Sequence, residues 1–224
     1  MLHKRFSMNK LGRDFVVGDL HGCFGQLLDE LSKIEFNDRA DRMFSVGDLI
    51  DRGKENIQCA ELLHAPWFFS VKGNHEDMFV AAMNSNAGTH DMMMYFQNGG
   101  NWVYDELDNA INAPADKAQW IAEFVRLFSQ LPLSITVPTS NGLVGICHAQ
   151  PPEDWEQVQF ETEAKLLWAR QVVQMTAPIF RVDNVWKTYH GHTPLDEKKV
   201  VGNAHFIDTG AVFDGGKLTV ERIH

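Results

Sequence analysis

The chain has 224 residues, of which 44% are hydrophobic and 22% are charged. This composition is typical of a globular protein and excludes a disordered chain, which would contain fewer large apolar side chains. The formal net charge of -10 argues against nucleic acid as a partner, because nucleic-acid-binding surfaces are basic. The length fits one domain, and we predict a single domain over residues 1–224.

The cysteines and the apolar runs bear on the cellular location. The chain has three cysteines, Cys23, Cys59 and Cys147, and no Cys-x-x-Cys pair. An odd count favours reduced thiols and a cytoplasmic location over a disulfide framework. The N-terminal segment 1–13 is basic but lacks the apolar stretch of a signal peptide. Since no run of 18 apolar residues occurs, we expect no membrane span.

Strand and helix patterns alternate in the first third of the chain. Short apolar runs predict strands at 15–17, 43–46 and 67–71, and helical spacing of apolar residues predicts helices at 27–34 and 57–63. Strands joined by helices at this spacing imply a parallel sheet with right-handed crossovers. The chain is therefore predicted to be an α/β protein.

The remaining elements are a helical region followed by further strands. Residues 76–130 have a mainly helical pattern, interrupted by the loop 98–101. Apolar runs at 133–137 and 143–147 flank Asn141-Gly142, which predicts a hairpin in which this pair supplies the positive φ angles. Further strands are predicted at 185–189, 205–207 and 218–223.

Polar, glycine-flanked segments follow five of the predicted strands. Three of them are Gly-Asp-Leu-His-Gly at 18–22, Gly-Asp-Leu-Ile-Asp-Arg-Gly at 47–53 and Gly-Asn-His-Glu at 73–76, and the other two contain His148 and Gly191-His192. Ligands of open α/β sheets bind at the carboxyl ends of strands. Taken alone, each segment also fits an ordinary turn or a hydrogen-bonded structural histidine. Together, the five segments predict one functional site.

The residue types in these segments are metal ligands. Asp, Asn and His form a mixed oxygen and nitrogen set that suits ions such as Mn, Fe or Zn better than Ca. The candidates exceed what one open catalytic ion needs, but they fit two ions that share a carboxylate. The six candidates are Asp19, His21, Asp48, Asn74, His148 and His192.

The order of these segments resembles the metallophosphoesterase superfamily, and within it the phage-type branch of the serine/threonine phosphoprotein phosphatases. The likeness extends to Asn98-Gly99-Gly100, Cys147-His148-Ala149, Trp168-Ala169-Arg170, Gly191-His192-Thr193-Pro194 and 208–213. The resemblance implies a calcineurin-like β-sandwich of mixed sheets, flanked by helices and carrying a helical insertion.

The resemblance also implies a role for each site residue. Asp19 and His21 would hold the first ion, Asp48 would bridge, and Asn74, His148 and His192 would hold the second. Arg52 and Arg170 would bind phosphate oxygens, and His75 would be the general acid, with Asp51 orienting its ring and raising its pKa.

His190 and Glu76 lie close in sequence to predicted ligands and could also be considered as ligands. His190 and His192 would point to the same face of an extended chain, so spacing alone leaves either as the ligand. The family pattern places the ligand directly after Gly191, which favours His192. Glu76 is predicted to stabilise a helix start rather than to bind metal.

The implied activity is metal-dependent hydrolysis of phosphoserine and phosphothreonine in proteins, with phosphotyrosine and phosphohistidine as further candidate substrates. A hydroxide bridging two ions would attack phosphorus directly. Manganese is the expected ion, with Fe, Zn, Ni, Co and Mg as alternatives, and phosphoproteins or phosphopeptides are the expected partners. The nearest alternative is a symmetrical dinucleoside tetraphosphate hydrolase, and an alternative of another class is a noncatalytic phosphoprotein-binding or metal-sensing module. The intact Asp51-Arg52-Gly53 segment favours phosphomonoesters over the dinucleotide.

Overall fold

The computed structural model describes residues 3–86, 88–111, 114–176 and 180–224. Within these residues the chain forms two β-sheets with helices packed around them. The strands are β1 (His3–Arg5), β2 (Asp14–Val17), β3 (Arg42–Ser45), β4 (Phe68–Ser70), β5 (Ser134–Thr139), β6 (Gly142–Cys147), β7 (Lys187–His190), β8 (Lys199–Val201), β9 (Ala204–Phe206) and β10 (Val220–Arg222). The α-helices are α1 (Phe24–Lys33), α2 (Asn56–Glu61), α3 (Asn74–Asn84), α4 (His90–Gln97), α5 (Trp102–Ala110), α6 (Pro114–Gln130) and α7 (Glu163–Trp168). Short 3-10 helices occupy Leu62–His64 and Trp155–Phe160.

The first sheet has the strand order β10-β2-β3-β4. Its strands β2, β3 and β4 are parallel, as the strand and helix pattern predicts, while β10 runs antiparallel to β2. The second sheet has the order β1-β5-β6-β7-β9-β8 and mixes both directions. In it, β6 and β7 are parallel, so both end at the same edge of that sheet.

The two sheets face each other across one of the apolar clusters. Val16 and Phe44 from the first sheet pack there with Ile135, Val144 and other residues of the second sheet. The neighbours Phe15 and Val17 belong to a different cluster, which contains the helices. Strand β2 thus alternates between the two clusters, as a two-residue period requires, and both faces of the first sheet are buried. This arrangement confirms the predicted class of two mixed sheets flanked by helices.

Helices α3 to α6 form the helical insertion, and an aromatic cluster holds them together. The rings of Phe79, Tyr95, Trp102, Trp120 and Phe128 lie in it. The chain breaks between α4 and α5 at 98–101, as predicted. None of the described helices is long and apolar enough to cross a membrane.

Two local predictions were inaccurate. The turn of the β5–β6 hairpin is centred on Ser140 and Asn141, because Thr139 pairs with Gly142 in register. Only Gly142 of the Asn-Gly pair has a positive φ, at 129°. The short strands β1 and β8 were not predicted at all, because they lie at sheet edges where few of their side chains are buried.

Candidate functional site

The predicted site residues lie together beyond the carboxyl ends of strands from both sheets. Strands β2 and β3 lead to Asp19 and Asp48, and Asn74 follows β4 as the first residue of α3. In the second sheet, β6 leads to His148 and β7 leads to His192. All six candidate metal ligands are buried, with exposed fractions of 6% or less. The fold thus brings polar side chains that are far apart in sequence together in one buried site.

The backbone of the site is unusual. Seven non-glycine residues among those described have a positive φ, and five of them belong to the site segments: His21, Asp48, Asp51, Arg52 and His192. A non-glycine residue in this region costs roughly 1–3 kcal/mol and persists only where the surroundings enforce it. Such strain is concentrated at functional sites.

Asp48 lies between two clusters of potential ligands. Its Oδ2 atom is 3.6 Å from His21 Nε2 and 3.9 Å from His75 Nε2, and its Oδ1 atom is 3.4 Å from His148 Nε2. The two ligand clusters are His21-Asp48-His75 and Asp48-His148-His192. Asp48 is common to both, which is the geometry expected of a carboxylate shared by two ions.

The second cluster consists of acceptor atoms that face one another. His148 Nδ1 donates to the carbonyl of Val46 at 2.8 Å, so in the neutral ring, the form that binds metal, the lone pair is on Nε2. That nitrogen lies 2.8 Å from Asn74 Oδ1, and His192 Nδ1 lies 2.8 Å from the same oxygen. Neighbouring carbonyls commonly fix histidine ligands in this way. A cation is the natural partner for such converging lone pairs, so these residues fit a metal.

His21 is prepared in the same manner. Its Nδ1 atom donates to the carbonyl of Ile50 at 2.9 Å, and its Nε2 atom faces Asp48. Burial lowers the pKa of His21 to about 3 and that of His192 to about 3, which keeps both rings neutral at pH 7. A neutral imidazole is the form that binds metal.

Asp19 is the one carboxylate or histidine among the predicted ligands that lies outside the two clusters. Its Oδ2 atom accepts a hydrogen bond from the backbone of His192 at 2.9 Å, whereas its buried Oδ1 atom has no partner among the described residues. Burial raises the pKa of Asp19, and the charges of Asp208 and Asp48 raise it further. This concentration of buried carboxylates also favours a bound cation.

Asp208 is a site residue that the sequence interpretation missed. It is 4% exposed and lies two residues after the end of β9, as Asp19 lies two residues after the end of β2. A polar residue after an apolar strand and before a glycine was the available signal. Its carboxylate accepts the backbone N–H of Gly210 at 3.0 Å.

His75 and Asp51 form a buried pair beside Asp48. His75 Nδ1 donates to Asp51 Oδ2 at 2.6 Å, and both residues are at most 1% exposed. Burial lowers the pKa of His75, but the charges of Asp48 and Asp51 and the hydrogen bond to Asp51 outweigh it, so the pKa is raised overall. A raised pKa favours the protonated ring, and the general-acid role of His75 stays a prediction.

Arg52 and Arg170 lie on the exposed rim, one beside each histidine cluster. Arg52 Nη1 is 2.7 Å from His21 Nε2, and Arg170 Nε is 3.2 Å from His192 Nε2. Both guanidinium groups therefore flank the centre on which the ligands converge. A guanidinium group offers several N–H donors in one plane, which suits the binding of phosphate or carboxylate oxygens.

Glu76 does more than stabilise a helix start. Its buried carboxylate accepts the backbone N–H groups of Gly73 at 2.8 Å, Asp48 at 3.0 Å and Leu49 at 2.7 Å. The first of these contacts belongs to a capping box at the start of α3. The other two hold the strained loop that carries Asp48.

The expectation that His190 and His192 point to the same face was wrong. His190 ends strand β7 and its ring bonds to the carbonyl of Cys147 and to Thr188 Oγ1. His192 has a φ of 70°, which turns its side chain toward Asn74 instead. Gly191 between them lies against the Asp19 carboxylate, where any Cβ atom would collide.

Comparisons with known proteins find matches over most of the chain. The family model described as calcineurin-like phosphoesterase matches residues 15–221. The chain is 34% identical to serine/threonine-protein phosphatase 1 of Salmonella typhimurium, over 99% of this chain and 97% of that protein. It is 28% identical to the asymmetrical bis(5'-nucleosyl)-tetraphosphatase PrpE of Bacillus mycoides, over 91% of this chain and 87% of that protein.

A solved structure of a candidate diadenosine tetraphosphatase has the same fold. Its TM-score is 0.68 at 22% identity, and the match covers 99% of this chain and 93% of that one. The family match spans nearly all of the segments that form the site, and such phosphoesterases use divalent metal ions. The chain therefore belongs to the calcineurin-like phosphoesterase family of hydrolases.

Proposed function

We propose that this phosphoesterase is a phosphoprotein phosphatase that uses two divalent metal ions. The single observation that supports it best is the sharing of Asp48 by two histidine clusters, directly beside the Asp51–His75 pair. Asp19, His21 and Asp48 would hold one ion, and Asp48, Asn74, His148 and His192 would hold the other. Manganese is the ion that we expect, and Fe, Zn, Ni, Co and Mg suit the same ligands.

The ions would supply an activated water and neutralise charge on the phosphate. The residues of the chain would do the rest. Arg52 and Arg170 would hold the phosphate oxygens from opposite sides of the rim and stabilise the charge that develops on them. Their positions beside His21 and His192 support this role.

The Nε2 atom of His75 would donate a proton to the leaving oxygen. Its Nδ1–H is committed to Asp51, so Nε2 is the nitrogen free to face the substrate. When the bond from phosphorus to the leaving oxygen breaks, the Nε2 proton moves to that oxygen and His75 becomes neutral. Asp51 keeps the ring in place, and solvent returns the proton before the next turnover.

Serine and threonine phosphates in proteins are the substrates that we favour, because the 34% identical relative bears that name over nearly its whole length. A dinucleoside tetraphosphate hydrolase is the second candidate, supported by the 28% identical relative. The intact Asp51-Arg52-Gly53 segment supports the first. The net charge of -10 supports substrates other than nucleic acid.

Turnover on a panel of substrates tests the proposal. Phosphoserine, phosphothreonine and phosphotyrosine peptides, p-nitrophenyl phosphate and diadenosine tetraphosphate would each be assayed with Mn, Mg, Zn, Ni and Co. We expect phosphopeptides to be hydrolysed with Mn, and the Asp48→Asn variant to be inactive with every ion. Much faster cleavage of the dinucleotide would favour the second candidate. No turnover by a folded, metal-loaded sample would indicate a noncatalytic binding module.

A further inference from the structure

The carboxylate of Asp51 is held from the side opposite to His75 by two aromatic residues of the helical insertion. Tyr95 Oη donates to Asp51 Oδ1 at 2.9 Å, and Trp102 Nε1 donates to the same oxygen at 2.7 Å. Asp51 Oδ2 accepts from His75 at 2.6 Å. Asp51 and Tyr95 are 0% exposed and Trp102 is 5% exposed, so water cannot replace either donor.

The same insertion also supports the backbone at this point. Asp51 and Arg52 have φ angles of 76° and 70°, two consecutive left-handed residues. The carbonyl of Gly99, in the turn between α4 and α5, accepts the Arg52 backbone N–H at 3.1 Å. A Cβ atom on the following Gly100 would collide with the Tyr95 ring, so the turn packs directly on one of the two donors.

The two donors help to keep the Asp51 carboxylate ionised, and they fix its orientation toward His75. Burial raises the pKa of Asp51 overall, and the bonds from His75, Trp102 and Tyr95 offset part of that rise. A buried carboxylate that loses a donor either rotates toward another partner or becomes easier to protonate. Either change would loosen its bond to His75.

We infer that Tyr95 and Trp102 are positioning residues, through which the helical insertion aligns the Asp51–His75 pair for proton transfer to the leaving group. This inference rests on the proposed phosphatase function. It assigns the insertion a part in catalysis, because α4 and α5 each supply one hydrogen-bond donor to the pair.

The test uses Tyr95→Phe and Trp102→Phe with substrates that differ in their need for an acid. A serine phosphate has a poor leaving group, whereas p-nitrophenyl phosphate has a good one. We expect each variant to lower kcat on a phosphoserine peptide by about tenfold, a part of the range known for general acid catalysis, with less than about a threefold loss on p-nitrophenyl phosphate. KM should change little, because neither residue contacts the phosphate, and His75→Asn should show the same contrast more strongly.

Trp120→Phe is the matched control. Its indole packs against Trp102 at 5.8 Å, it is 9% exposed, and its N–H has no partner among the described residues. This variant removes the same volume from the aromatic cluster as Trp102→Phe does, but it removes no hydrogen bond. We expect it to affect both substrates by the same factor, and thermal unfolding monitored by circular dichroism would verify that all variants are folded.

Two outcomes separate the inference from the proposed function. If the wild-type protein hydrolyses both substrates and the variants lose equal factors on each, or lose nothing, Tyr95 and Trp102 have only a structural role and the inference is overturned. If the metal-loaded wild-type protein hydrolyses neither substrate, the proposed function itself fails.

Discussion

Replacing Glu76 by Gln should weaken both the fold and the metal centre, although we assign Glu76 no ligand role. The carboxylate is fully buried and accepts three backbone N–H groups, two on Oε2 and one on Oε1. A glutamine has a single acceptor oxygen. If that oxygen takes the two donors from Gly73 and Asp48, the amide NH₂ group faces the N–H of Leu49.

The size of the effect follows from that mismatch. Burial raises the pKa of Glu76 to about 7, so the measurement belongs at pH 8, where the carboxylate is mostly ionised. There, losing one hydrogen bond to a charged group costs roughly 1.5–3 kcal/mol, out of a typical total stability of about 5–15 kcal/mol. The lost bond also holds the loop in which Asp48 has a φ of 52°. Removing an outer partner of this kind typically lowers metal affinity by about 10–100-fold.

Urea unfolding in the presence of EDTA measures the first effect, and titration calorimetry with Mn measures the second. Glu106→Gln is the matched control, because Glu106 Oε2 also accepts two donors, from Asn56, and its Oε1 accepts one, from Ile57. We expect both variants to lose stability and only Glu76→Gln to lose metal affinity. Equal metal affinity in the two variants would refute the assigned role of Glu76.

Three further predictions concern the site and the fold. Arg170→Ala should mainly raise KM, because Arg170 is proposed to contact the phosphate. His75→Asn should mainly lower kcat, by about 100-fold or more on poor leaving groups. Steady-state kinetics on a phosphoserine peptide test both, and the opposite pattern would contradict the two roles. Asp48→Asn should abolish binding of both ions rather than one, since both clusters contain Asp48; two ions retained per chain by mass spectrometry would contradict the shared carboxylate. Burial raises the pKa of Asp41, but hydrogen bonds from Arg13 and from backbone N–H groups lower it overall. The stabilisation from Asp41 is therefore present above about pH 4, the unfolded pKa, and is lost as the pH falls through the lower folded pKa. Asp41→Asn should lower the unfolding midpoint by roughly 2–10 °C at pH 7 and by less at pH 3, and a difference independent of pH would count against this account.

Local patterns in the sequence determined much of the fold and most of the candidate site. A short apolar strand followed by a glycine and a polar residue is a local pattern, and it located Asp19, Asp48 and Asn74 just beyond the ends of parallel strands. A histidine directly after an apolar strand located His148, and the Gly191-His192 segment, with the family resemblance, located His192. Because parallel strands end at one edge of a sheet, the grouping within each sheet followed from topology, whereas the meeting of the two groups required the packing of the two sheets.

Only the tertiary structure decided how the site is completed. The direction of the His192 side chain depends on a φ of 70°. The residue type at that position does not by itself specify this angle. The contacts of Tyr95 and Trp102 with Asp51 span 44 and 51 residues of sequence. Such contacts depend on how the helical insertion packs against the sheet. The helical pattern of 76–130 predicts that Tyr95 and Trp102 lie in helices, but it does not predict which carboxylate they contact. Local propensity determines the elements of this protein, whereas long-range packing determines which side chains meet at the Asp51–His75 pair.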